Sequence, residues 1–226
     1  MRKFVLMAIV MCLMAAVSFA GPLGAPAAVT GTNQLGVGFD YVTGEMDLDA
    51  SFAGRNIPLE DVEMDMYLAK LVYGVNNNWD VYAVVGVADA GVDDFNGDDT
   101  VYGIGTKFNL GQAGNIKFGG LAQFLTGSVD DIIGKTDIDV DFYELTLAVG
   151  PNCDIAKNVN VYGGAMFTLF NADIDADGMS ADAEQSSILG GFIGVNLELT
   201  ENLSTYVEYQ ASSDSSFIGT GVALKF

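Results

Sequence analysis

The stretch DIDADGMSADAE, residues 173–184, has the oxygen spacing of a calcium loop. In the pattern D-x-[DN]-x-[DN]-G-x5-E, Asp173, Asp175 and Asp177 fill positions one, three and five, and Gly178 makes the turn at six. Met179 offers its carbonyl at seven, and Glu184 closes the shell at twelve. The neighbours argue against an EF-hand. Gly163-Gly164 and Gly190-Gly191 flank the loop where that motif needs helices. Ser180 stands at position eight in place of an aliphatic residue, and Ala181 at nine ligates only through water. Two readings stay open: an acidic connection that binds Ca2+, or a solvated acidic loop that matches by chance. DDFNGDD, residues 93–99, is a weaker cluster of the same character.

Other chemistries are closed off by what the chain lacks. It contains no histidine, which excludes His-dependent triads and His metal sites. Residues 1–20 place Arg2 and Lys3 before an apolar run and end in Ser18-Phe19-Ala20, the pattern of a cleaved secretory signal peptide. Removing them takes two of the nine basic residues and none of the thirty acidic ones, which leaves a net charge of −23. Such a chain repels nucleic acid and attracts cations. Cys153 is then the single remaining cysteine, so no internal disulfide forms.

The elements that must position these residues alternate with period two. In residues 216–226, Ile218, Thr220, Val222, Leu224 and Phe226 share one face, and small residues with Lys225 take the other. Ten strands are expected near 34–46, 62–75, 79–90, 100–110, 115–128, 139–152, 158–171, 187–199, 203–212 and 216–226. Their connections alternate between short Asn- or Gly-bearing turns and longer acidic loops. Twenty-three of the thirty acids lie in the long connections or the strand ends beside them. This is the pattern of an up-and-down antiparallel transmembrane β-barrel with short periplasmic turns and longer outer loops. Residues 33–226 form the barrel, and residues 21–32 are expected as a flexible periplasmic tail. A secreted β-sandwich or lipocalin-like barrel is the soluble alternative, but its water-facing surface would carry more charge.

Face assignment follows from the alternation. Val81, Val85, Phe118, Phe124, Leu147 and Ile193 are expected toward lipid. Asp40, Lys70, Lys107, Lys117, Glu144, Glu198 and Glu208 are expected in the lumen. There they line a narrow aqueous path or pair and fill the barrel, and small barrels are usually filled. On sidedness alone, Gly221→Ser is expected to be milder than Val222→Arg.

On these features the chain resembles the small outer-membrane β-barrels of Gram-negative bacteria, the OmpA/OmpX-like group. The resemblance covers nearly all of residues 33–226. It implies that Thr220, Val222, Leu224 and the terminal Phe226 form the signal read by the barrel-assembly machinery. It also implies a setting among outer-membrane lipid and lipopolysaccharide. That group usually has eight strands, so eight is the runner-up to ten. Ten-stranded relatives include proteases whose chemistry needs a histidine beside acids, and this chain has none. The expected role is therefore structural or surface-interacting, with acidic loops that bind divalent cations; a narrow cation-preferring porin for small solutes is the alternative. No catalytic residue is expected.

Overall fold

The computed structural model describes residues 23–28, 30–52, 55–92, 95–133, 136–176, 179–184 and 188–226; the expected signal peptide lies outside them. Eleven strands occur among these residues: β1 (Leu35–Phe52), β2 (Arg55–Asn76), β3 (Trp79–Val92), β4 (Phe95–Ala113), β5 (Ile116–Ile133), β6 (Thr136–Ala156), β7 (Val159–Ala176), β8 (Met179–Glu184), β9 (Leu189–Glu198), β10 (Leu203–Ser212) and β11 (Ser215–Lys225). Ten of them close an antiparallel barrel. Each pairs with the next, β7 pairs with β9, and β11 returns to β1 through Gly36↔Lys225 to Met46↔Ser215. Closure leaves no strand edge to face hydrocarbon.

The eleventh strand solves a length mismatch. β9, β10 and β11 hold 10, 10 and 11 residues, close to the roughly 9–11 a tilted strand needs to cross a bilayer. β1 holds 18 and β2 22, so they run past the ends of β9–β11. Beyond Met46 and Phe167, β1 and β7 would lose their partners. β8 fills the gap, pairing with β7 through Asn171↔Glu184 to Ala176↔Met179 and with β1 through Asp49↔Glu184 to Ser51↔Asp182. The outer extension thus closes on the eight strands β1–β8. A register shift between Met46 and Leu48 marks the change of partner, and there Asp47 N–H donates to the Asp214 carbonyl at 2.7 Å.

Two expectations about connections are corrected. The long outer loops are largely strand: β1–β2, β3–β4 and β5–β6 continue as ladders to Phe52↔Arg55, Val92↔Phe95 and Ile133↔Thr136. On its other side β6 also continues its pairing with β7 out to Ile138↔Ala176. Likewise, residues 171–176 and 179–184 pair antiparallel as β7 and β8, with Asp173 opposite Asp182 in the register. Short links, by contrast, stand where expected, at 77–78, 114–115, 157–158 and 199–202.

The two faces sort as their alternation requires. Val85, Phe118, Phe124, Leu147 and Ile193 are exposed, and Ile104 reaches 66%. Inside, the outer half of the lumen is packed with apolar side chains, among them Met66, Leu68, Leu125, Phe142, Phe170 and Phe217. The polar lumen residues lie mostly toward the short-turn half. Gly221 needs its missing side chain: a Cβ there would run into Asp40 and Tyr206, so sidedness alone underestimates Gly221→Ser.

The tail is the largest departure. Residues 23–28 and 30–32 were expected in the periplasm, but Leu23 and Ala27 are 1% and 0% exposed within the barrel. The chain enters at the short-turn end, where Asn33 N–H donates to the Gly74 carbonyl at 2.8 Å, and runs inward to Leu23. Small side chains make this passage sterically possible. Gly119 and Gly74 clear the space, since a Cβ on either would strike the backbone of Ala27 or Gly31. Left-handed φ values at Gly31 (95°) and Asn33 (60°) turn the segment into β1.

Candidate functional site

A peptide buried in a lumen must have its backbone groups satisfied, and three strands of the wall supply partners. On β10, Glu208 Oε1 accepts from Leu23 N–H at 2.8 Å. On β4, Lys107 Nζ donates to the carbonyls of Leu23 and Ala25 at 2.6 and 3.0 Å. On β3, Asp80 Oδ2 accepts from Thr30 N–H at 3.1 Å. Around these anchors Leu23 joins a buried apolar cluster with Leu121, Ala148, Tyr162, Met166 and Phe192. The segment therefore braces β3–β5 against β7–β10 across the lumen.

A second polar group lies beside the tail. Lys70 Nζ sits 2.9 Å from Asp40 Oδ2 and 5.8 Å from the centre of the Tyr82 ring. The Tyr206 hydroxyl donates to Asp40 Oδ1 at 2.5 Å, and the Tyr82 hydroxyl donates to Gln123 at 3.0 Å. Gln210 Nε2 donates to Glu208 at 2.6 Å. Glu144 stands apart in the outer half, fully buried, and accepts from the Thr146 hydroxyl at 2.8 Å. A cavity of about 820 Å3 lies at the short-turn end, between the tail and the wall. Asp40, Lys70 and Lys107 line it, and so do Asn77, Gln112 and Asp154.

The structure brings Asp40, Lys70, Lys107 and Glu208 together around the tail. Lys117 and Glu198 also line the cavity, at exposed positions toward its mouth, and Glu144 is separate from it. Asp80, Tyr82, Gln123 and Tyr206 complete the network; Asp80 and Gln123 are legible as inward polar residues, whereas the tyrosines look like ordinary strand aromatics. Thr220, Val222, Leu224 and Phe226 all face outward along β11 and its end. Of the calcium positions, Asp173 is exposed, the backbones of Asp175, Met179 and Glu184 lie in the β7–β8 hairpin, and Asp177 lies outside the described residues. No group of three or more Asp, Glu, Cys or His is gathered for a metal among the described residues.

A closed antiparallel barrel with an apolar outer belt and a plugged polar interior defines the class: a transmembrane β-barrel of the bacterial outer membrane. More specifically, the model of the outer membrane protein beta-barrel domain matches residues 78–226, and the chain belongs to that family. No curated protein matches it in sequence. Among solved structures, the translocator domain of the autotransporter NalP from Neisseria meningitidis is similar at 12% identity, with a TM-score of 0.50, over 100% of this chain and 98% of the other. The attachment invasion locus protein Ail of Yersinia pestis, solved with the heparin analogue sucrose octasulfate, matches at 16% identity and a TM-score of 0.42, over 86% and 99%. The outer membrane protease OmpT from Escherichia coli matches at 11% identity and a TM-score of 0.49, over 88% and 98%. At these identities the likeness is one of fold.

Proposed function

We propose that this protein is a closed, non-enzymatic outer-membrane barrel whose role is structural or surface-interacting, exercised through its acidic outer end. The observation that carries this reading is the filled lumen. Leu23–Ala28 occupies the half nearest the short turns, and Met66, Leu68, Phe142 and Phe217 pack the outer half. A barrel blocked twice along its axis is suited to a rigid platform more than to a path for solutes. The outer extension carries most of the acids of a chain with net charge −21, and divalent cations would bridge it to lipopolysaccharide phosphates. Asp173, Asp175, Asp177, Met179 and Glu184 are the proposed contributors to cation binding.

The test is single-channel recording of the full mature chain in planar bilayers, alongside binding to lipopolysaccharide-coated and bare lipid surfaces. Silence in the bilayer together with Ca2+-dependent retention on lipopolysaccharide is the expected result. Stepwise cation-selective currents would instead favour the narrow porin, the reading supported by the cavity of about 820 Å3 at the short-turn end.

A further inference from the structure

The cavity at the short-turn end differs in charge from the molecule around it. The chain carries thirty acids against nine basic residues, yet four lysines and four acids line this cavity. The inner ones are committed: Asp40 pairs with Lys70, and Lys107 and Asp80 hold the tail. The outer ones, Lys117, Asp154, Glu198 and Lys225, form no ion pair with one another among the described residues. Two of each sign leave no net field to draw in an ion.

Between these charges the lining is rich in carboxamides. Seven Asn and Gln side chains contribute to it. Strand register sets several of them side by side. Gln112, Lys117 and Asn152 lie opposite one another across β4, β5 and β6. Asp154, Asn160, Asn196 and Tyr206 do so across β6, β7, β9 and β10. Directly opposed side chains start about 4.5–5.5 Å apart at Cβ, so they can reach one small molecule together. Asn160 Nδ2 donates to Asp154 Oδ1 at 2.8 Å, which holds a donor and an acceptor side by side.

Each class of ligand can be weighed against this surface. An apolar molecule would cover the carboxamides and leave their donors and acceptors unmet. A peptide would need Lys107, Asp80 and Glu208, which the tail already occupies. A polyhydroxyl compound matches. Every hydroxyl is both donor and acceptor. It can donate to Asp154 or Glu198 and accept from an Asn amide or from Lys117. The space, about 820 Å3, is of the size that small-molecule sites have.

We infer that this cavity is a binding site for a small neutral saccharide, reached from the periplasmic side and held by Asp154, Asn160 and Asn196, with Lys117 and Glu198 beside them. The site lies at the opposite end of the barrel from the acidic extension, and it is independent of any surface role there.

The test uses the full mature protein in a detergent that carries no sugar headgroup. Isothermal titration is run with maltose, as a free sugar, and with chitobiose, as the end of a glycan chain; lysine and citrate are the charged comparators. At least one saccharide should bind saturably with a Kd of about 1 mM, about tenfold or more tighter than either comparator. Which of the two binds better identifies the source. Asn160→Leu with Asn196→Leu should weaken binding at least about tenfold, while Glu201→Gln, in the short link between β9 and β10, leaves it unchanged. A measurement on the unaltered protein covers the case in which that double variant misfolds: acylation of lysines by a water-soluble reagent, read residue by residue by mass spectrometry. With saccharide at ten times its Kd, Lys117 should react about tenfold more slowly. Lys157, outside the cavity lining, should keep its rate. No saturable heat with either saccharide, equal binding of a comparator, full binding by the folded double variant, or a Lys117 rate indifferent to saccharide would overturn the inference.

Discussion

At the scale of single residues, the lumen sets steeper demands than the lipid face. Asp40 and Lys70 form a pair with side-chain exposures of 3% and 12%. Removing one member takes a buried partner of opposite charge from the other, so Asp40→Ala should destabilise the barrel by about 3–5 kcal/mol, whereas Asp40→Leu with Lys70→Met should recover much of that loss. Urea unfolding in lipid vesicles measures both. On the outside, Val222→Arg should cost about 2–4 kcal/mol if the arginine sits near mid-membrane, and less near an interface. Gly221→Ser should be a second damaging change, because its Cβ would meet Asp40 and Tyr206. A barrel insensitive to Gly221→Ser would show that this wall yields more easily than its packing indicates.

At the scale of elements, the tail and β8 each complete something the ten barrel strands leave unfinished. Deleting residues 23–30 leaves Glu208, Asp80 and Lys107 without their tail partners. The deletion variant should still insert, since every strand pair remains, but it should unfold at lower urea, and its Lys107 should become reactive to a water-soluble acylating reagent. Unchanged Lys107 reactivity would mean that something else covers that amine. β8 lends its ladder to β1 and β7. Ala183→Pro removes a donor from a strand paired on both sides, which proline tolerates poorly. Proteolysis around residues 177–187 should rise in that variant, while the unfolding midpoint of the ten-stranded barrel stays nearly constant.

For the whole molecule, sidedness is the testable property. The short links gather at one end of the barrel, and the extended β1–β8 ladder lies at the other. On intact cells, trypsin sites at the outer end reduce to Arg55 and Lys135. Cleavage at Lys157, which sits in the short link between β6 and β7, would mean that the barrel is inserted the other way.

The sequence alone determined the class, the ten barrel strands, the end with short turns and the division of faces. Those follow from local signals: period-two alternation, Asn and Gly at tight turns, and charge sorted by alternate connections. It also marked Asp40, Lys70, Lys107, Glu144 and Glu208 as inward, because their parity along each strand fixes their face. Only the tertiary structure decided what those residues meet. Residues 23–30 carry no periodicity, and their small side chains read as a tail; their burial depends on a lumen assembled from β3, β4, β5 and β10, far apart in the chain. The partner of β8 was equally hidden. Asp49 and Glu184 are distant in sequence, and they meet because β9–β11 end early and leave two edges whose hydrogen bonds must go somewhere.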